Sequence, residues 1–134
     1  MPLVAVALVS AGAIGFQVVL IRLYAIGQWH HFAYMVISIA LLGYGLSGTV
    51  LALARTWLLG RFDRVWPGFA LAFGLSAPAS FFLAREFVFD PFALAWSPGQ
   101  LAGLSLAYLL LMVPFFCAAN CIGLAFLRFG GAIG

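Results

Sequence analysis

Charged side chains are the scarcest feature of this sequence, and their scarcity decides its solvent. Only 7% of the 134 residues are charged, and the three acids are Asp63, Glu86 and Asp90. A water-soluble domain carries about 25% charged residues, so a soluble globule of this size is excluded. The six basic residues are all arginine and form no basic stripe, which argues against nucleic acid as a partner.

Metal-ligating patterns are also scarce. Cys117 and Cys121 are spaced i, i+4 with no nearby histidine or carboxylate, so we interpret them as small buried packing residues rather than as a metal or redox pair. His30 and His31 would point about 100° apart on a helix and would not share one metal ion. The sequence therefore predicts no catalytic, cofactor-binding or metal-binding residue.

Long apolar runs are what the sequence has instead. Hydrophobic residues make up 66% of the chain, and the mean hydropathy is +1.20. Four runs are long enough to cross a hydrocarbon core of about 30 Å at about 1.5 Å per residue. They cover residues 3–26, 32–54, 68–84 and 98–127. These runs predict an all-α integral membrane protein, a single module of four transmembrane helices over residues 1–134.

Helix-start signals accompany two of these runs. Pro67 would open the third span, at a position where a missing N–H does no harm. Ser97 and Gln100 have the spacing of a capping box at the start of the fourth. Tryptophan is enriched at membrane interfaces, and all four tryptophans fall in the predicted breaks between spans: Trp29, Trp57, Trp66 and Trp96.

The arginines predict the orientation of the module. Arg55, Arg61 and Arg64 lie between spans two and three, and Arg128 lies at the end of span four. The opposite side has Arg85, accompanied by Glu86 and Asp90. Because positive residues favour the cytoplasmic side, we predict that both termini and the 55–66 loop are cytoplasmic.

The segment from Gly43 to Gly48 matches the letters GxGxxG, but it lies in the middle of the second span. A dinucleotide site needs a preceding strand and a helix N-terminus, so we predict no nucleotide there. Small residues instead allow close helix approach. We predict that Ala40, Gly43, Ser47 and Gly48 form a face for other transmembrane helices, of this or another chain. Leucine at Gly45 or Gly48 is then expected to disrupt that packing.

Arg22 is an obligate cation within the first apolar run. It could snorkel outward to lipid headgroups or face the bundle interior, and the two readings have equal support from the sequence. In the second reading its partner would be Glu86 or Asp90, the acids predicted on the same side. Gln17, five residues earlier, is offset by about 140° on a helical wheel and need not share the face of Arg22.

The run GFQVVLIRLYAIGQWHHFAYMVISIALLGYGLSGTVLAL resembles the start of the membrane domain in bacterial membrane-bound spermidine synthase-like proteins. The terminal LRFGGAIG is similar to the point where a further helix begins in that family. The resemblance implies a multi-pass module in the bacterial inner membrane. It also implies a cytoplasmic Rossmann-like aminopropyltransferase domain, which this sequence lacks, so no catalytic role can be transferred. The chain is therefore expected to be a fragment or half of a larger membrane domain.

Three functions remain open at this stage. The first is a non-catalytic transmembrane scaffold or anchor within a larger chain or assembly. The second is a small accessory subunit of a respiratory or photosynthetic complex, bound through the glycine face. The third is part of a small-molecule carrier, with helices broken at Pro78 and Pro114, a polar Asn120 and a site near Arg22.

Overall fold

The computed structural model describes residues 2–27, 30–86, 96 and 98–130. These residues form five helices and no strand: α1 (Pro2–Gly27), α2 (His30–Leu53), α3 (Arg55–Gly60), α4 (Phe62–Glu86) and α5 (Pro98–Phe129). All of them except the short α3 are long and apolar enough to cross a membrane. The prediction of an all-helical module with four such helices is confirmed.

The third membrane-crossing helix begins earlier than the sequence predicts. Helix α4 starts at Phe62, so Pro67 lies inside the helix and not at its first position. Trp66 is likewise helical and not in a break between spans. Asp63 and Arg64 lower the hydropathy of the first turn without opposing helix formation, which explains the error in the predicted boundary. The predicted N-cap of the fourth helix, Ser97, lies outside the described residues.

Two further prolines lie within continuous helices. Pro78 is inside α4 and Pro114 is inside α5. A proline removes one backbone hydrogen bond and crowds the carbonyl four residues before it, yet both helices continue past these positions. Neighbouring helices and hydroxyl side chains make such prolines tolerable in membrane helices. The carrier alternative relied on helix breaks at Pro78 and Pro114, and the helices are continuous at both positions.

Helix α5 is the central element of the bundle. Half of its most apolar window is buried, compared with 11% for α1 and 6% for α4. The buried core joins α1, α2 and α5 through six residues: Leu20, Val36, Ile39, Ala40, Leu111 and Phe115. Because α5 is surrounded by its neighbours, the outer faces of α1 and α4 are left covered with exposed apolar side chains.

Phe115 is the aromatic centre of this core and has 0% exposure. Its ring lies 5.5 Å from that of Phe16 on α1 and 6.1 Å from that of Tyr44 on α2, the latter in an edge-on arrangement. Tilted and edge-on aromatic pairs at such distances add about 0.5–1.5 kcal/mol beyond the area they bury. Three helices therefore meet at one side chain.

Contacts along α5 give the directions of its neighbours. On α2, Gly43 lies against Phe115 and Leu51 lies against Gly123, so residue numbers rise together and the two helices are parallel. Trp66 near the start of α4 donates a hydrogen bond to the backbone carbonyl of Cys121 near the end of α5, so these two helices are antiparallel. The end of α2, the start of α4 and the end of α5 consequently lie together.

Candidate functional site

Four arginines mark the end of the bundle where α2 and α5 finish and α4 begins. The Arg128 guanidinium lies 4.6 Å from the centre of the Phe62 ring, which also packs edge-on against Phe129 at 5.9 Å. The Arg61 guanidinium lies 5.0 Å from the ring centre of Trp57. Such cation–π contacts contribute about 0.5–1 kcal/mol each at exposed sites. We call this region, with Arg55, Arg61, Arg64 and Arg128, the arginine end.

The α3–α4 turn provides a polar hollow at the arginine end. The carbonyl of Arg61 accepts hydrogen bonds from the backbone N–H of Arg64 at 3.0 Å and of Val65 at 2.9 Å. The hollow measures about 380 Å³ and is lined by Gly60, Arg61, Asp63 and Arg64. Its three charged side chains are all exposed. Since Asp63 offsets part of the positive charge, the hollow is a weak candidate for binding an anion.

A second hollow lies between α2 and α5 and has a different chemistry. It is an open groove of about 580 Å³ with apolar walls and one arginine at its end. The walls include Gly48, Leu51, Arg55, Gly123, Phe126 and Leu127. Its volume falls within the range of about 300–1,000 Å³ that is usual for ligand sites. We call this hollow the α2–α5 groove.

Trp66 and Cys121 make a reciprocal contact that joins α4 to α5. The indole Nε1–H donates to the carbonyl of Cys121 at 3.0 Å, and the Cys121 thiol donates to the carbonyl of Trp66 at 3.7 Å. Cys117 and Cys121 are both buried free thiols. Among the described residues, no group of three histidine, cysteine or acidic side chains could hold a metal ion. Both thiols are buried in the bundle, and Cys121 joins α5 to α4 through its contact with Trp66.

Asn120 is a fully buried polar side chain in the last third of α5. Its Nδ2 donates to the carbonyl of Phe116, one turn earlier, at 2.8 Å. Its Oδ1 is buried without a hydrogen-bond donor among the described residues. Ser47 on α2 is also buried. It lies midway between the two α2 residues that touch α5, Gly43 and Leu51, and so faces the turn of α5 that carries Asn120.

The predicted small-residue face divides into two parts. Ala40, Gly43 and Ser47 are buried, and a Cβ on Gly43 would lie 3.0 Å from the Cβ of Phe115. Gly45 and Gly48 are exposed, and a Cβ on either would have nothing within 4 Å. Within this chain the close helix approach therefore occurs at Gly43. Gly45 and Gly48 make no such close approach within this chain, and their packing against helices of another chain stays a prediction.

Gln17 and Arg22, two polar residues in the second half of α1, lie on different faces of the helix. Gln17 is partly buried on the same side of α1 as Leu20, whereas Arg22 is exposed on the outer side. The exposure of Arg22 favours the snorkelling alternative. Glu86 ends α4, but its side chain lies outside the described structure, and Asp90 lies outside the described residues altogether. Pairing of Arg22 with either acid stays a prediction.

Other sequence predictions also fall beyond the described structure. Trp29 is not among the described residues, nor are the side chains of His30 and His31. Trp96 is described and is 88% exposed, as expected for an interfacial residue.

The α2–α5 groove is the feature that sequence reasoning missed. Arg55 entered the sequence argument only as a topology signal, and Gly123 carried no signal at all. The groove arises because two glycines and one arginine from different helices come together, and the helix rotation that achieves this is not readable from hydropathy. The nearest available signal was the small residue Gly48, which had been assigned to helix packing.

Comparisons with family models, with curated proteins and with solved structures give no match for this chain. Its function must therefore be argued from the bundle itself.

Proposed function

We propose that this chain is a non-catalytic transmembrane scaffold module. In this proposal it spans the bacterial inner membrane four times, with the N-terminus, the C-terminus and the arginine end in the cytoplasm. The resemblance to the membrane domain of spermidine synthase-like proteins supports an anchoring role beside a separate catalytic domain. The four arginines grouped at one end of the bundle support the orientation, because such clusters favour the cytoplasmic side.

The main support for this proposal is the exposed apolar surface on the outer faces of α1 and α4. Leu8 on α1 is 68% exposed and Leu71 on α4 is 67% exposed, and both are surrounded by further exposed apolar residues. Only 11% of the apolar window of α1 and 6% of that of α4 are buried inside the bundle. In a membrane such faces meet either lipid or another transmembrane helix. Two helices with so much unused apolar surface fit a module that holds partner helices.

The buried residues fit the same role. The described interior is apolar apart from Ser47, Ser80 and Asn120, and no Asp, Glu, His, Lys or Arg is among the buried residues that the structure describes. Intramembrane ionisable residues usually mark ion or substrate pathways. The carrier alternative also relied on helices broken at Pro78 and Pro114, and both helices are continuous. The accessory-subunit alternative places the partner complex on the glycine face of α2, where Gly45 and Gly48 are exposed.

Photo-crosslinking in native membranes tests the scaffold proposal. A photoreactive amino acid at Leu8 or Leu71 should give a discrete protein adduct from at least one of the two faces. The same amino acid at Leu111, which is fully buried, is the matched control and should react only within the chain. Lipid adducts alone from both outer positions would contradict the scaffold role. Adducts to subunits of an electron-transfer complex would select the accessory-subunit alternative.

A further inference from the structure

The α2–α5 groove has the shape of a single-chain lipid site. Gly48 leaves its α2 wall open, since a Cβ there would meet nothing within 4 Å. One turn later on the same helix, the side chain of Leu51 reaches across to α5, lies over Gly123 and forms the floor. Phe126 is 62% exposed and supplies an apolar wall. All of these surfaces are apolar, so the body of the occupant must be apolar too.

The charge of the groove is confined to one end. Arg55 begins α3, seven residues after Gly48, which corresponds to about 10 Å along a helix. It is exposed, and it is the only charged residue among the described residues that line the groove. Asp63, the acid at this end of the bundle, lines the neighbouring hollow. The groove therefore offers an apolar slot with a cation at its mouth.

The position of Arg55 distinguishes a lipid from a partner helix. A lipid carries its anionic phosphate at the membrane interface, directly above its acyl chains, and basic residues attract anionic headgroups there. A helix of about 10 Å diameter would contact the bundle along most of the bilayer. The groove instead extends over only about two helical turns, from Gly48 to Arg55. A partner helix would also need a carboxylate near the membrane to match the cation, which is costly.

We propose that the α2–α5 groove binds one anionic phospholipid. One acyl chain lies against Gly48 and over the Leu51 side chain, and the lipid phosphate is held by the Arg55 guanidinium. A guanidinium presents several N–H donors in a planar fork that matches phosphate oxygens. The bound lipid would fill the open side of the α2–α5 contact.

Native mass spectrometry of the purified chain in detergent tests this assignment with two lipids that have the same acyl chains. Phosphatidylglycerol should bind about five-fold more tightly than phosphatidylcholine, the factor that corresponds to about 1 kcal/mol per arginine near the surface. Arg55→Gln should remove this preference. Arg64→Gln, an exposed arginine at the same end that does not line the groove, is the charge-matched control and should keep it.

A second pair of variants tests the apolar part of the site. Gly48→Leu should fill the groove and reduce the affinity for both lipids at least several-fold. Gly45→Leu adds the same side chain to an equally open position outside the groove and should change neither affinity. Because neither Cβ meets a neighbour, both variants should melt at the wild-type temperature, which separates loss of the site from loss of the fold.

Several results would overturn the lipid site. Equal loss of preference in Arg55→Gln and Arg64→Gln would reduce the effect to general surface charge. Unchanged lipid affinity in Gly48→Leu would remove the acyl slot. Full competition by inorganic phosphate would show that the acyl chain contributes nothing. If Gly48→Leu instead abolished a dimer while lipid binding persisted, the occupant would be a second copy of this chain.

Discussion

Replacement of Gly43 by leucine should destabilise the bundle more than any other single glycine substitution in α2. A Cβ on Gly43 would lie 3.2 Å from the backbone nitrogen of Phe116 and 3.3 Å from the carbonyl oxygen of Met112. Backbone atoms of α5 cannot rotate away, so α2 and α5 would have to separate. Overpacking usually costs about 1–3 kcal/mol, and a backbone contact places Gly43→Leu at or above the upper value.

The matched control for this prediction is Gly45→Leu. The two glycines lie on the same helix two residues apart, and a Cβ on Gly45 has nothing within 4 Å. Reversible unfolding in mixed detergent should show a large loss of stability for Gly43→Leu and almost none for Gly45→Leu. Equal stability of the two variants would mean that α2 is rotated differently about its axis and that the described α2–α5 contact is wrong.

Truncation of Phe115 to alanine should produce the second large loss. Its side chain is fully buried where α1, α2 and α5 meet, and no smaller side chain reaches both Phe16 and Tyr44. Removal of a buried phenylalanine costs about 3–5 kcal/mol through lost contacts and the remaining cavity. The same unfolding titration in detergent should report a shift of this size.

Phe126→Ala is the appropriate comparison for the Phe115 variant. Phe126 lies on the same helix and is 62% exposed, so its truncation leaves no internal cavity. We expect Phe126→Ala to unfold close to the wild-type midpoint in detergent without added lipid. If the two truncations cost the same, Phe115 would not be the centre of the core.

Hydropathy was sufficient to predict the four long helices, because a span depends on a sum over many residues. The end of a helix depends on a few residues, and there the prediction was less accurate. The charged residues Asp63 and Arg64 interrupt the apolar sequence, so the third span was predicted to begin after them. The helix nevertheless starts before them, at Phe62. The short helix α3 was missed for the same reason, since its six residues give no periodic signal.

The contact face of each helix could not be predicted in the same way. Apolar residues surround α1 and α2 on all sides, so no amphipathic stripe marks the side that faces α5. The sequence therefore offered Gly43 and Gly48 as members of one close-approach face and predicted that leucine at Gly45 or Gly48 would disrupt it. In the structure, Gly43 is the glycine of α2 that lies against Phe115 of α5. The same rotation of α2 leaves Gly48 exposed at the side of the α2–α5 contact, where it lines the α2–α5 groove.

The structure bears on the environment of Arg22, the arginine within the first apolar run. The sequence left two alternatives open, snorkelling to lipid headgroups or pairing inside the bundle. The rotation of α1 places Leu20 in the core and leaves Arg22 exposed. A cation on the outer side of a helix near its end fits the snorkelling interpretation, because its long side chain can reach the headgroups.

The most direct test of the four-span module is to determine on which side of the membrane each end of α4 lies. Gly60→Cys and Gly99→Cys introduce thiols at exposed positions with no close neighbour, separated along the chain by α4. The native thiols of Cys117 and Cys121 are buried and should give a low background in the unmodified protein. In intact bacterial cells, a membrane-impermeant maleimide should label Gly99→Cys, and it should label Gly60→Cys only after the membrane is permeabilised. Labelling of both thiols from the same side would show that α4 does not cross the membrane and would contradict the four-span module. Labelling of Gly60→Cys alone in intact cells would place the arginine end outside and contradict the proposed orientation.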